Sequence, residues 1–306
     1  MRIRLKRRSA RWTRSFYLRG AVLLTLTWVS IGAGYVLAEV SAKDPAILWK
    51  EAVANNPLVG FGTYLGLRTS LLVPSFAIAI AAFIVVSLVH FFTFGPKDMS
   101  AKAAEDEIPW WTLAERIVHG VVVVTFVVLM VTGLAITFGR YLGGGASALL
   151  MRQLHEMAGF AFAPFIVLMI LVWVRHAIPR AYDWDWLTHA GGYLGYKGDL
   201  RSGKFNAGQK FWFWVMTLAC LALVWTGLSL YFQVGQLPAL RMYVVLHFGA
   251  TIPLVLMFIV HLYMTTLGAK GAFMGMISGK FSRTAATRFH AEAPELRRVQ
   301  PTGSDD

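Results

Sequence analysis

Histidine is the residue type whose placement suggests chemistry in this chain. The stretch from Arg241 to Gly268, RMYVVLHFGATIPLVLMFIVHLYMTTLG, is apolar and long enough to cross a bilayer, yet it carries His247 and His261. Ionisable side chains inside a membrane are costly and mark functional sites by default. The two are fourteen residues apart, which is roughly 21 Å of helix at about 1.5 Å per residue. Fourteen steps of about 100° fall about 40° short of four whole turns, so both rings leave nearly the same face. One helix face therefore offers imidazole at two depths, the arrangement that two stacked haems require.

The elements that must position these rings follow from composition. Of 306 residues, 57% are hydrophobic and only 15% charged, with a mean hydropathy of +0.56. Soluble domains carry about 25% charged residues, so the chain reads as all-α, an integral membrane helical bundle. The net charge of +13 does not indicate nucleic acid, because the Lys and Arg flank apolar runs as topology determinants do. The single cysteine, Cys220, lies in an apolar run, and no CxxC or CxxCH occurs. Covalently attached haem and iron–sulfur ligation are thereby excluded within this chain. Tryptophans near the run ends (Trp110, Trp111, Trp184, Trp186, Trp212, Trp214) suit interfacial belts.

Residues 1–16 are basic and an apolar run from Gly20 to Val40 follows, with small-residue cleavage positions near 36–42. This segment reads as a secretory signal peptide, with an uncleaved anchor as the rival. Five spans are predicted at 68–93, 115–138, 155–177, 211–233 and 242–267, with no internal repeat and a disordered end from His290 onward. Basic residues concentrate in the 94–114 and 178–210 connections and the tail, which puts these on the cytoplasmic side and residues 43–67 outside.

With that orientation each histidine acquires a depth. His155 and His247 are level near the outer face; His119 and His261 are level near the inner face. Bis-imidazole ligation fills both axial positions of a haem iron and suits electron transfer. Gly120, Gly133, Gly159, Gly227 and Gly249 would let a flat macrocycle approach backbone closely. His90 and His176 read as structural or interfacial, His189 and His290 as solvated. The inner connection ends KFNAGQKFWFW. There Asn206 and Gln209 could hydrogen-bond a quinone in an apolar slot, or Asn206 could simply cap the next helix.

Taken in order, ERIVHG, LHEMAGF, KFNAGQKFWFW, the His247/His261 span and KGAFMGMISGKFSR resemble the gamma (cytochrome b) subunit of membrane-bound respiratory formate dehydrogenase, over about Glu115 to Phe289. The resemblance implies a four-helix di-haem cytochrome b domain at 115–268. Before it come a signal or anchor at 1–42, an outer segment at 43–67 and an extra span with linker at 68–114; a tail at 269–306 follows. It implies two b-type haems, with His155/His247 ligating the outer and His119/His261 the inner. A quinone (menaquinone or ubiquinone) would bind near Asn206, Gln209 and His261. The implied partners are an iron–sulfur (beta) subunit and a catalytic molybdenum or tungsten (alpha) subunit, in the bacterial inner membrane with a cytoplasmic C-terminus. The tail departs from the family, with Thr287-Arg288-Phe289-His290 where a Trp-Ala pair ahead of a His pair is expected. Alternatives are the cytochrome b subunit of a membrane-bound hydrogenase or thiosulfate-type reductase, and, from another class, a haem-free anchor or transporter.

Overall fold

The computed structural model describes residues 73–103, 106–139 and 145–297. The leader and outer segment expected from the sequence lie outside the described residues. The chain divides into two compact units at Gly95 and Pro96. The described part of the first is one helix, α1 (Val73–Phe94), with Val85, Val86 and Phe92 exposed along its length. Its one mid-helix serine does not strand a polar group in hydrocarbon, because Ser87 Oγ donates to the Phe83 carbonyl at 2.8 Å. Gly95 ends it in the left-handed region at φ +73°, as C-terminal glycines do. The His90 ring lies 5.3 Å from Phe94.

The second unit holds four long helices in two hairpins. α2 (Leu113–Thr137) packs along α3 (Gly145–Trp173). Two short helical segments follow: α4 (Tyr182–Thr188), then a turn at Ala190–Gly192. α5 (Ala207–Tyr231) then packs along α6 (Leu237–Tyr263). Contact between α3 and α5 joins the hairpins. Phe126, Phe162, Ile166, Phe213, Cys220 and Leu254 fill the middle of the bundle. Outward-facing Val124, Leu171 and Leu218 are exposed, as apolar side chains are when lipid is the solvent. With α1, five helices among the described residues are long and apolar enough to cross a membrane, matching the five predicted spans.

One boundary differs in a way that matters. α3 begins at Gly145, not at the predicted 155, so His155 lies three turns inside its helix rather than opening it. The added turns are amphipathic, with Arg152 and Glu156 paired at 2.9 Å one turn apart, and hydropathy alone does not register them. α6 likewise starts early, at Leu237 with Pro238 in its first turn. His155 and His247 thus stand the same ten residues from their helix starts.

The end of the bundle at which α2 and α5 start and α3 and α6 finish is closed by short elements. β1 (Lys97–Asp98) pairs parallel with β3 (Ala269–Lys270), and β2 (Glu107–Pro109) antiparallel with β4 (Lys280–Ser282). α7 (Ala272–Ser278), α8 (Arg283–Phe289) and α9 (Pro294–Arg297) complete the cap. The expectation of disorder from His290 is therefore corrected for residues 290–297. Ala286 and Ala293 are fully buried against Ile108 and Trp110, so small residues pack where low hydropathy suggested solvent. His290 is buried too, not solvated. Its Nδ1 lies 2.8 Å from the Gly203 carbonyl, and its ring meets Trp110 and Phe281 edge-on at 5.6 and 5.8 Å. Ser202 Oγ bonds the Phe289 carbonyl beside it. Lys97 ties the same parts together, donating to the Gly191 carbonyl at 2.8 Å beneath the Phe289 ring. Burial, reinforced by Arg288, pulls its amine down to about 8.

Burial pushes His290 from its ordinary 6.5 down to about 4, so the folded tail holds it neutral. A depressed histidine contributes stability above its unfolded pKa and loses it as pH falls. Asp106 stays charged meanwhile, because the Ser282 and Thr284 hydroxyls hold it below the usual carboxylate range. Amide protection of residues 280–297 in hydrogen exchange is expected to fall between pH 6.5 and 4, while the mid-bundle helices keep theirs.

Candidate functional site

α3 and α6 run in the same direction, and their equal offsets bring two imidazoles opposite one another. The ring centroids of His155 and His247 are 6.2 Å apart and inclined at 70°. Each ring is held from behind by the neighbouring helix of its own hairpin. Thr132 Oγ1 on α2 lies 2.9 Å from His155 Nδ1, and Thr226 Oγ1 on α5 lies 2.9 Å from His247 Nδ1. A glycine follows each threonine, and space demands it. A Cβ on Gly133 would stand 3.2 Å from His155 Cε1, and one on Gly227 3.4 Å from His247 Cε1. These two glycines admit the histidine rings. Gly120 and Gly249 are different, since nothing lies within 4 Å of where their Cβ would stand.

The other pair occupies the capped end. His261, two residues from the end of α6, stacks on Trp212 of α5 at 4.4 Å and 23°. Trp212 is fixed in turn, donating Nε1–H to the Met257 carbonyl at 3.2 Å. His119 on α2 faces Trp173 at 5.5 Å and is within electrostatic reach of His261. So the rings at one level are backed by hydroxyls and those at the other by indoles.

Beneath this level lies a buried set of charges that the sequence reading did not single out. Lys204 bonds Glu115 at 2.9 Å and Glu295 at 3.2 Å, with side-chain exposures of only 2%, 5% and 10%. Trp173 Nε1 also donates to Glu115, and Lys204 sits 4.4 Å over the Trp111 ring. A second buried pair, Lys210 with Asp183 at 2.8 Å, docks α4 on the first turn of α5.

Asn206 does cap α5. Its side chain accepts from Gln209 N–H at 2.9 Å, and Gln209 Oε1 accepts from Asn206 N–H at 2.9 Å, a reciprocal capping box. Asn206 is buried and Gln209 exposed. Both amide oxygens are used by the cap, and neither amide NH₂ group is. His176, at the end of a short turn after α3, lies 5.9 Å from Phe205. His189 contacts Asp185 and Tyr196. Neither belongs to the four-ring set.

The starts and middles of α2 and α5 share local features without a sequence repeat. Thr112 and Glu115 form the capping box of α2, and Asn206 and Gln209 that of α5. The tripeptide Thr-Gly-Leu recurs at 132–134 and 226–228, and all these positions correspond at one offset of ninety-four residues. The matched positions are few and scattered through apolar filler. The repeated tripeptide was the signal that could have found Thr132 and Thr226.

Residues 110–279 match the prokaryotic cytochrome b561 family. The nitrate-inducible formate dehydrogenase cytochrome b556(Fdn) subunit of Escherichia coli K12 is 32% identical over 194 residues, covering 58% of this chain and 85% of that protein. The formate dehydrogenase cytochrome b556 subunit of Haemophilus influenzae is 32% identical over 190 residues, covering 57% and 77%. The cytochrome b556(fdo) subunit of formate dehydrogenase from E. coli K12 is 28% identical over 193 residues, covering 60% and 90%.

Removing one partner from a buried ion cluster strands the others, at a cost of about 3–5 kcal/mol. Lys204→Met is expected to lower the free energy of unfolding in detergent by that amount. Adding Glu115→Gln and Glu295→Gln, which neutralise the stranded carboxylates, is expected to recover most of the loss.

Proposed function

This chain belongs to the prokaryotic cytochrome b561 family, and from that premise we propose that it is the membrane cytochrome b subunit of a formate dehydrogenase complex. It passes electrons from an iron–sulfur subunit, through two b-type haems, to membrane quinone. The observation that carries the reading is the 6.2 Å between the His155 and His247 centroids. Metal–imidazole bonds run about 2.0–2.1 Å, which puts two axial rings on one metal about 6 Å apart, centroid to centroid. The residues present therefore fit the group. Gly120 and Gly249 leave clear backbone beside His119 and His247.

Each haem, when bound, supplies a one-electron ferric–ferrous couple. His155 and His247 would hold the outer one, His119 and His261 the inner. Trp212 keeps the His261 ring planar against α5, and Trp173 bridges His119 to the buried Glu115. The Glu115–Lys204–Glu295 cluster closes the inner end against bulk water without leaving a net unpaired cation there.

Quinone binds at the start of α5, next to His261. Asn206 and Gln209 hold the helix end with their oxygens and donate from their NH₂ groups to a quinone carbonyl. A molybdenum- or tungsten-containing alpha subunit and an iron–sulfur beta subunit dock on the outer side of the bacterial inner membrane. The tail lies in the cytoplasm, the side from which quinone takes its protons.

A reduced-minus-oxidised spectrum of the purified complex is expected to show two b haems, with formate dehydrogenase subunits co-purifying. His247→Ala removes the outer haem alone and His261→Ala the inner; two unaltered haems in His247→Ala overturn the ligand assignment. For the quinone, Asn206→Asp with Gln209→Glu keeps both capping oxygens and removes both donors. Two neutral hydrogen bonds at about 0.5–1.5 kcal/mol each correspond to roughly tenfold weaker binding of a quinol analogue. Unchanged affinity removes these residues from the site.

A further inference from the structure

Thr132 and Thr226 have a hydrogen-bond arithmetic that fixes the protonation of the two rings they touch. A threonine hydroxyl has one proton and two lone pairs. Thr132 Oγ1 lies 2.6 Å from the Val128 carbonyl, and Thr226 Oγ1 lies 2.6 Å from the Ala222 carbonyl. Each carbonyl can only accept, so each hydroxyl proton is committed to its own helix. What Oγ1 then offers the ring 2.9 Å away is a lone pair. Nδ1 of His155 and of His247 must carry the proton, and in a neutral imidazole that leaves Nε2 as the lone-pair nitrogen.

Hydrogen-bonding the far nitrogen of a metal-binding histidine orients the ring and makes it a stronger electron donor. A stronger donor stabilises ferric over ferrous iron and so lowers the reduction potential. At the other level the rings meet indoles, His261 on Trp212 and His119 against Trp173, which do not accept a hydrogen bond in this way. We propose that Thr132 and Thr226 are positioning residues that lock His155 and His247 as Nδ1–H tautomers and hold the outer haem at a lower potential than the inner one. Electrons entering outside then run downhill to the quinone end, and the direction of flow is written into two hydroxyls. This inference rests on the haem reading above.

The experiment uses the full chain in its purified membrane complex, with the potential of each haem read by optical titration. Thr132→Val with Thr226→Val keeps shape and removes both acceptors; Thr132→Ser with Thr226→Ser keeps them. In the valine variant the ferrous-to-ferric ratio of the outer haem at a fixed potential is expected to rise about tenfold, which is about 59 mV for a one-electron couple. The inner haem is expected to stay in place, and the serine variant to match the unaltered protein. Loss of the outer haem from the valine variant alone also supports the role. An unmoved outer potential with both haems present overturns the inference and leaves the haem reading standing, as does loss of the outer haem from both variants. Absence of haem from the unaltered complex overturns both.

Discussion

A polar ring inside hydrocarbon must have both of its nitrogens satisfied, and the helix carrying it has no spare backbone group to offer. Much of this bundle follows from that constraint. At the level of His155 and His247, one nitrogen of each ring is met by a threonine hydroxyl from the neighbouring helix. The hydroxyl can reach only because the next residue is glycine, against which the imidazole lies at van der Waals distance. The two rings so held stand 6.2 Å apart, centroid to centroid. Threonine serves this purpose in a membrane because it satisfies its own proton on the preceding turn, leaving no donor in need of a partner.

The capped end solves a different problem. Here the helices emerge among charged residues, and the fold buries several of them instead of solvating them. Buried ion clusters are weak evidence for stability but strong determinants of arrangement, since a misplaced partner strands the rest. Lys204 reaches α2 through Glu115 and the tail through Glu295. Asp183 and Lys210 hold α4 to α5. Together with the two small strand pairs, these contacts give the connections and tail one packed structure rather than separate loops.

Runs of apolar residues made the five spans legible, because the bilayer filters for length and hydropathy before anything else. The fourteen-residue interval in α6 and the depths of the other rings made the four histidines legible as a set. What the sequence hid was of two kinds. The start of α3 and the order of the tail depend on amphipathic or small-residue segments whose partners lie elsewhere in the chain, as β2 with β4 illustrates. Thr132 and Thr226 were hidden differently, as ordinary helix residues whose role appears only when a ring from the next helix lies beside them. Asn206 and Gln209 were legible as a cap and as amide donors at once, and the capping geometry uses only half of each amide.

α2 and α5 correspond in their capping boxes and their Thr-Gly-Leu segments, and the places where the correspondence fails are instructive. One histidine level draws on α3 and α6, which are equivalent in the two hairpins. The other draws on α2 and α6, which are not. Where α2 has His119, the matching residue of α5 is Phe213, buried in the core; where α2 begins with buried Glu115, α5 begins with exposed, uncharged Gln209. Because α2 and α5 start at the same end, the correspondence exchanges the two hairpins side by side and leaves the two ends of the bundle distinct. The mismatch makes the two hairpins unequal at that end, where α2 commits its first turns to a ring and a buried carboxylate and α5 commits its own to neither.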